Sequence, residues 1–395
     1  MRVLFFFLFI VSTLFSQSDK ASHIPPTKSI FLDLDTTVCD NACLEKLLQD
    51  GQVFSFLSKY RANNENELLE NQYVLYSTLF RVIKDGAISV RIAVLVPQKS
   101  IRRYAISTVN AIIAYMLTKD ENFELKVFNS IDEEESSILK SLDAIKRENY
   151  QYVIAPVTQS GADVLINNSK NLLVYIPTIH QSNYKESSSN VIFGGIDYQA
   201  QIQELMKHTN EKVAVFSDGS QLSFDLNDII KDKTQNIVYS EVINNSKIDF
   251  KRILKTNTRL DDSSVFLNTP LVKTSLLASQ FRVYERKPYS LLSTQINYNP
   301  LLLTLTQYED RENFYLANSI GETSVKLEET NTLFGHNITY DWVNYSTSIG
   351  IDYLYSHYLV PSSAREFKEE IQENQVNYNI SIIKPARYKF EKVLF

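Results

Sequence analysis

Glycine is scarce in this chain: nine residues of 395, about a third of ordinary usage. Loops that cradle phosphates need several glycines close together, and neither G-x-G-x-x-G nor G-x-x-x-x-G-K-[ST] occurs. Nucleotide enzymes of those two kinds are therefore excluded. Histidine is also sparse, and His23, His180, His208, His336 and His357 lie far apart in sequence. There is no H-E-x-x-H and no G-x-S-x-G nucleophile elbow. Neither a metal nor another cofactor is expected. Positive charge is outweighed by negative, giving a net charge of −6, so a phosphate backbone is repelled on average and nucleic acid is not an expected partner. Beyond the N-terminus no stretch stays apolar for the 18 or so residues that a membrane span requires.

What is present is an ordinary globular composition, 44% apolar and 22% charged, on a chain long enough for two or three structural units. Arg2, the apolar run Val3 to Phe15 and the small-x-small stretch Ser16-Gln17-Ser18 read as a secretory signal over residues 1–18. The expected location is the periplasm, with a mature chain from near Asp19; an uncleaved anchor is the alternative. The only two cysteines, Cys39 and Cys43, stand in a C-x-x-x-C spacing. In an oxidising compartment such a pair reads first as a small disulfide, with free thiols and a metal site as alternatives. The chain-entropy relation gives so short a loop roughly 2 kcal/mol at best.

Asp40 or Asn41 is placed to cap a helix carrying Leu44, Leu47, Leu48, Phe54 and Leu57, broken near Gly51, and a second helical stripe runs through Leu68, Leu69, Tyr73, Tyr76, Leu79, Phe80 and Ile83. Residues 19–88 thus form a helical N-terminal extension. From Arg91 the pattern becomes strand and helix in alternation. Ile92 to Val96, Phe123 to Phe128, Tyr152 to Ala155, Leu172 to Ile176 and Val191 to Phe193 are short apolar runs of the kind buried in parallel sheets. The rhythm restarts at Lys212 to Phe216 and continues through Ile237 to Val242, Val265 to Leu267, Tyr289 to Ile296 and Phe314 to Ala317. Two successive α/β units imply two Rossmann-like lobes over residues 89–395, the first about 89–195 with part of the C-terminal tail and the second about 196–320. The tail is expected to supply a helix near Ile349 to Leu359 and strands near Tyr378 to Ile383 and Tyr388 to Leu394.

On these residues the chain resembles the type I periplasmic binding protein superfamily, nearest to the C-terminal domain of penicillin-binding-protein activators of the LpoA type. Arg91-Ile92-Ala93-Val94-Leu95-Val96-Pro97, Tyr152-Val153-Ile154-Ala155-Pro156, Lys212-Val213-Ala214-Val215-Phe216 and Ala317-Asn318-Ser319-Ile320 carry the resemblance. It covers roughly residues 90–395. It implies a two-lobed, non-catalytic binding protein, either a solute receptor or a partner-binding regulator.

Ligands of open parallel sheets sit beyond the carboxyl ends of the strands. Ser100, Arg102 and Arg103 follow the first strand, Thr158, Gln159 and Ser160 the third, and His180 the fourth; on the second lobe Asp218, Asn268, Asn297 and Asn318 hold equivalent places. Such polar residues also cap helices and shape turns without binding anything. Arg102 and Arg103 are the candidates for clamping an anion. Trp342, the only tryptophan, is either a stacking platform or buried core. Gly194-Gly195 falls at the first lobe crossing, where glycine permits unusual backbone angles or simply a turn. Ser137-x-x-Lys140 and Ser182-x-x-Lys185 match S-x-x-K, yet K-T-G is replaced by Lys273-Thr274-Ser275. No enzyme is expected.

Tyrosine and phenylalanine are plentiful, 23 and 22 residues, and suit interfaces. The glycine-free Gln98-Lys99-Ser100 is an unusual first ligand loop. Together these favour an exported envelope protein that binds a protein partner, a peptidoglycan synthase by the resemblance, over a periplasmic receptor for a small polar or anionic solute in the interlobe cleft.

Overall fold

Helices in the N-terminal part form where capping residues meet apolar stripes. The structure, a computed structural model, describes residues 39–60, 66–80, 90–119, 121–184, 189–244 and 248–393; the expected signal segment and Lys185 lie outside them. Asp40 caps α1 (Asn41–Gln49) by accepting from the Cys43 amide at 2.9 Å, and Asn66 caps α3 (Glu67–Leu79) after α2 (Val53–Lys59). Leu44, Phe56, Leu57, Tyr60 and Leu69 are buried together as the core of these three helices. Cys39 and Cys43 form a disulfide with their Cα atoms 5.3 Å apart. The chain divides into two compact units, Met1–Arg91 with Met116–Leu125 and Ile92–Tyr115 with Lys126–Phe395.

The first lobe runs β1 (Val90–Val96), α4 (Gln98–Ile101), α5 (Arg103–Leu117), β2 (Phe123–Asn129), α6 (Glu135–Arg147), β3 (Tyr152–Ile154), α7 (Gln159–Asn168), β4 (Leu173–Ile176) and β5 (Val191–Phe193). The second runs α8 (Tyr198–Met206), β6 (Val213–Ser217), α9 (Gln221–Lys233), β7 (Ile237–Val242), α10 (Phe250–Leu254), β8 (Ser264–Asn268), α11 (Leu271–Val283), β9 (Ser290–Ser293), α12 (Leu301–Leu305) and β10 (Phe314–Asn318). After α13 (Val325–Leu333) comes α14 (Trp342–Leu354), which ends in a π-turn at Tyr355–Leu359. The tail then forms β11 (Glu370–Gln372), β12 (Gln375–Asn377), β13 (Ser381–Pro385) and β14 (Phe390–Lys392).

Each sheet has seven strands, ordered β11-β12-β5-β4-β3-β1-β2 and β14-β13-β10-β9-β8-β6-β7. The tail therefore completes both sheets with an antiparallel hairpin, β11·β12 on the first and β13·β14 on the second. β6, β8, β9 and β10 pair in parallel, while β13 lies antiparallel to β10. Buried aliphatic residues cover both faces of the second sheet, Leu267 and Leu277 on one and Val215 and Leu226 on the other; full burial of each such side chain is worth about 1.5–3 kcal/mol. Two faces of this kind need strands that are apolar almost throughout, as their sequences are.

The lobes are joined by segments after β5, after β10 and between β12 and β13. Gly194 and Gly195 open the first of these. Neither has a positive φ, so these glycines do not serve unusual backbone angles. They serve close approach: a Cβ on Gly194 would stand 2.0 Å from the Tyr175 hydroxyl, and one on Gly195 would stand 2.2 Å from the Ile179 carbonyl carbon.

Candidate functional site

The strand-end loops of the first lobe are largely occupied by the chain's own groups. At the start of α7 the Glu133 carboxylate accepts from the Thr158 amide at 2.7 Å, from the Ser160 hydroxyl at 2.9 Å and from the Thr158 hydroxyl. An anion favoured by this helix terminus is therefore already in place, supplied by the protein. The Gln159 side chain accepts from Asn183 at 3.0 Å. His180 caps the turn Gln181–Asn183, its Nδ1 accepting from the Ser182 amide at 3.1 Å. Ser182 also bonds the same ring nitrogen at 2.8 Å, and Ser137 lies within α6.

The second-lobe candidates are engaged in a similar way. Asp218 accepts from the Ser220 amide and hydroxyl at 3.0 and 2.6 Å, shaping the entry to α9. Asn268, Asn297 and Asn318 are buried rather than displayed on a wall. Asn268 donates to Asn227, Asn297 donates to the Thr269 carbonyl and the Ser293 hydroxyl, and Asn318 brackets Ile320 with both ends of its amide. Polar residues at strand ends can bind a ligand or tie loops; these make loop-tying bonds, while the side-chain oxygens of Asn268 and Asn297 have no hydrogen-bond partner among the described residues.

Arg102 and Arg103 do not act as a pair. Arg102 ends α4 with φ +47° and is exposed, whereas Arg103 begins α5 and lines a cavity of about 440 Å³. Ser100 is exposed on α4 and is not part of that lining. Of the twelve candidates only Arg103 and Trp342 meet at this cavity.

The cavity draws on three parts of the fold. The first lobe provides Arg103, Tyr104 and Ser107 from α5; the second provides Gln295, Tyr298 and Asn299 after β9 together with Leu222; the returning segment provides His336, Tyr340, Asp341 and Trp342. Tyr198, the first residue of α8, completes it. Much of the wall is aromatic. The Tyr104 and Trp342 rings lie 6.3 Å apart at 58°, and Tyr298 and Tyr340 lie 4.9 Å apart at 50°. Burial and the neighbouring Tyr340 push the Tyr298 hydroxyl up to about 12, and burial raises Tyr198 as well, so both stay neutral.

Asp341 is the acidic group of the cavity. It caps α14 through the Asn344 amide at 3.1 Å and accepts from Ser107 at 2.7 Å. His336 Nδ1 stands 3.8 Å from the same carboxylate, while its Nε2 meets the Asn110 amide nitrogen at 3.0 Å. Asn110 as donor leaves the proton of a neutral ring on Nδ1, facing Asp341. The Arg103 guanidinium sits 5.3 Å from the Tyr104 ring centre. The Tyr104 hydroxyl and, less strongly, Asp341 hold its pKa above the ordinary value. Among the described residues no cluster of His, Cys, Asp and Glu could hold a metal, and no helix is long and apolar enough to cross a membrane.

No family model matches the chain, and no curated protein matches it in sequence. Solved structures do. The branched-chain amino acid transporter substrate-binding protein LivJ of Streptococcus pneumoniae, in complex with isoleucine, superposes with a TM-score of 0.57 at 11% identity, over 77% of this chain and 99% of that one. This chain has the type I periplasmic binding protein fold. A leucine-, isoleucine-, valine-, threonine- and alanine-binding protein of Brucella ovis gives 0.55 at 10% identity, over 77% and 94% of the two chains. A transporter solute-binding protein of Rhodopseudomonas palustris, in complex with p-hydroxybenzoic acid, gives 0.53 at 11%, over 75% and 92%. Identities this low establish the periplasmic-binding-protein fold and leave the ligand to be argued from this chain's own cavity. That cavity was missed in the sequence because its aromatic residues lie at helix starts and in short turns, where no period singles them out. Arg103 and Trp342 are the lining residues that the sequence singles out.

Proposed function

We infer that the chain is a non-catalytic solute-binding receptor that holds a small ligand in the cavity between its lobes. One observation carries the reading: a single cavity is lined from the first lobe, the second lobe and the returning segment, so an occupant contacts all three. Cavities of this size with aromatic walls and a few polar groups suit small molecules. The structural neighbours, crystallised with solutes such as isoleucine and p-hydroxybenzoic acid, support the same reading. An exported, periplasmic location accompanies it. The expected envelope protein partner and the likeness to LpoA-type activators find no support among these neighbours.

A thermal-shift screen with amino acids, aromatic acids, sugars and anionic wall fragments tests the reading. A true ligand at a hundred times its Kd stabilises by about 2.7 kcal/mol, and Trp342→Ala should abolish the shift while Val272→Ser, on an exposed face of α11, should leave it intact. The reading fails if no solute stabilises the protein, or if Trp342→Ala responds as the parent does.

A further inference from the structure

The cavity carries two opposite charges, near enough for Asp341 to raise the Arg103 pKa yet not joined in a contact ion pair. Arg103 and Asp341 both line it, and among the described residues no ion pair within 4.0 Å joins them. A ligand that complements both ends is dipolar, with an anionic group for the guanidinium and a cationic group for the carboxylate side.

The nature of the cationic end follows from which acceptors remain. A primary ammonium presents three N–H donors and needs oxygen acceptors to replace water. Those of the cavity each already carry a bond from the protein, so an ammonium with three N–H groups has to share them. Asp341 accepts from Asn344 on one oxygen and from Ser107 on the other. The Gln295 carbonyl oxygen accepts from the Ser319 amide at 2.6 Å, and the Asn299 carbonyl oxygen accepts from the Leu301 amide at 3.0 Å. What remains abundant is aromatic surface, from Tyr104, Tyr198, Tyr298, Tyr340 and Trp342. Aromatic rings attract a cation that has no N–H groups to satisfy, and an acid nearby adds long-range attraction without a hydrogen bond.

Resting on the receptor reading, we propose that the ligand is a small zwitterion with a fully methylated ammonium at one end and a carboxylate at the other. The ammonium sits among the rings beside Asp341, and the carboxylate is held by Arg103.

The test is titration calorimetry on the full chain with matched pairs that differ only in N-methylation: glycine and trimethylglycine, gamma-aminobutyrate and gamma-butyrobetaine, with choline as a cation lacking the acid. At least one methylated acid should bind ten or more times more tightly than its unmethylated partner. Trp342→Ala should weaken it at least tenfold, with Trp342→Phe retaining most of the affinity and serving as the check on folding. Arg103→Met should weaken the methylated acid about tenfold and leave choline unchanged. Equal or tighter binding of the unmethylated partner overturns the proposal, as does parent-like affinity in Trp342→Ala. If neither pair binds but another solute is stabilising and depends on Trp342, the methylated-zwitterion assignment falls and the receptor reading stands; if nothing binds, both fall.

Discussion

The Ser107 hydroxyl donates to the Asp341 carboxylate at 2.7 Å, across 234 positions of sequence. This bond fastens α5 to the cap of α14 and fixes one wall of the cavity. Asp341→Ala removes both the cap and the Ser107 acceptor, and should cost about 1–2 kcal/mol. Ser107→Ala should cost about 1 kcal/mol, and the double variant should lose less than the sum, because both changes break one shared contact. Urea unfolding of the four proteins reads out the coupling. Strict additivity would show that the contact contributes nothing.

Glu133 should matter to stability although it lies beside a loop. Glu133→Ala leaves the Thr158 amide and two hydroxyls to water and removes a negative charge from the start of α7, a loss of about 1–2 kcal/mol. Glu133→Gln should lose roughly half of that, since an amide oxygen still accepts but carries no charge. Urea midpoints of the two variants give the ranking, and equal losses would leave the charge without a role.

Gly194→Ala should be among the most damaging single methyl additions. Its Cβ would meet the Tyr175 hydroxyl, and the same ring leaves no room at Gly350, where a Cβ would stand 2.2 Å from it. Tyr175 is fully buried and bonded to the Ser346 carbonyl at 2.7 Å, so it cannot swing away without leaving polar groups unmet. Overpacking with loss of that bond implies about 3 kcal/mol or more. Gly51→Ala, whose added Cβ has nothing within 4 Å but whose φ is +71°, should cost about 1 kcal/mol. Thermal unfolding of the pair distinguishes steric crowding from backbone strain.

Acid should loosen the turn at His180. Burial holds its pKa below 6.5, although Asp197 pulls the other way. The unfolded chain therefore takes up the proton first, and stability present above pH 6.5 declines as pH falls below that value. Geometry supports the direction, since a protonated Nδ1 can no longer accept from the Ser182 amide. The urea midpoint of His180→Asn should depend less on pH between neutrality and pH 5 than the parent's. Parallel curves would assign the acid sensitivity elsewhere.

Most of the sheet framework was legible because a strand buried on both faces must be apolar nearly throughout. Val191 to Phe193, buried throughout, has the bounds its apolar run predicts; the partly exposed edge strand Ile237 to Val242 also matches its expected bounds. The stretch Tyr289 to Ile296 was read as one strand, but the strand spans Ser290–Ser293 and turns at Gln295, whose side chain is claimed by Ser319. Helix α14 begins at Trp342, well before the expected Ile349, because buried polar residues such as Asn344, Ser346 and Thr347 interrupt its apolar pattern. The partners of Ser346 lie far along the chain, Gly194 among them, and no local period records such bonds. The hairpin β11·β12 and helix α13 escaped for the same reason: short, polar segments gain their conformation from the sheet or helix they meet. At the cavity, residue chemistry pointed to Arg103 and Trp342, while the aromatic surroundings depended on the chain's return.

The placement of the two C-terminal hairpins bears on how the protein is made. Strands β11 to β14 come from residues 370–392, yet they form one flank of each sheet. During synthesis β5 and β10 stand as open edges until residues 370–392 have followed them. The buried Arg311 reinforces the dependence, for its guanidinium reaches the carbonyls of Pro385, Ala386 and Arg387 in the final turn. Completion of both sheets thus waits on residues 370–392, and a chain truncated before them exposes two adhesive edges at once.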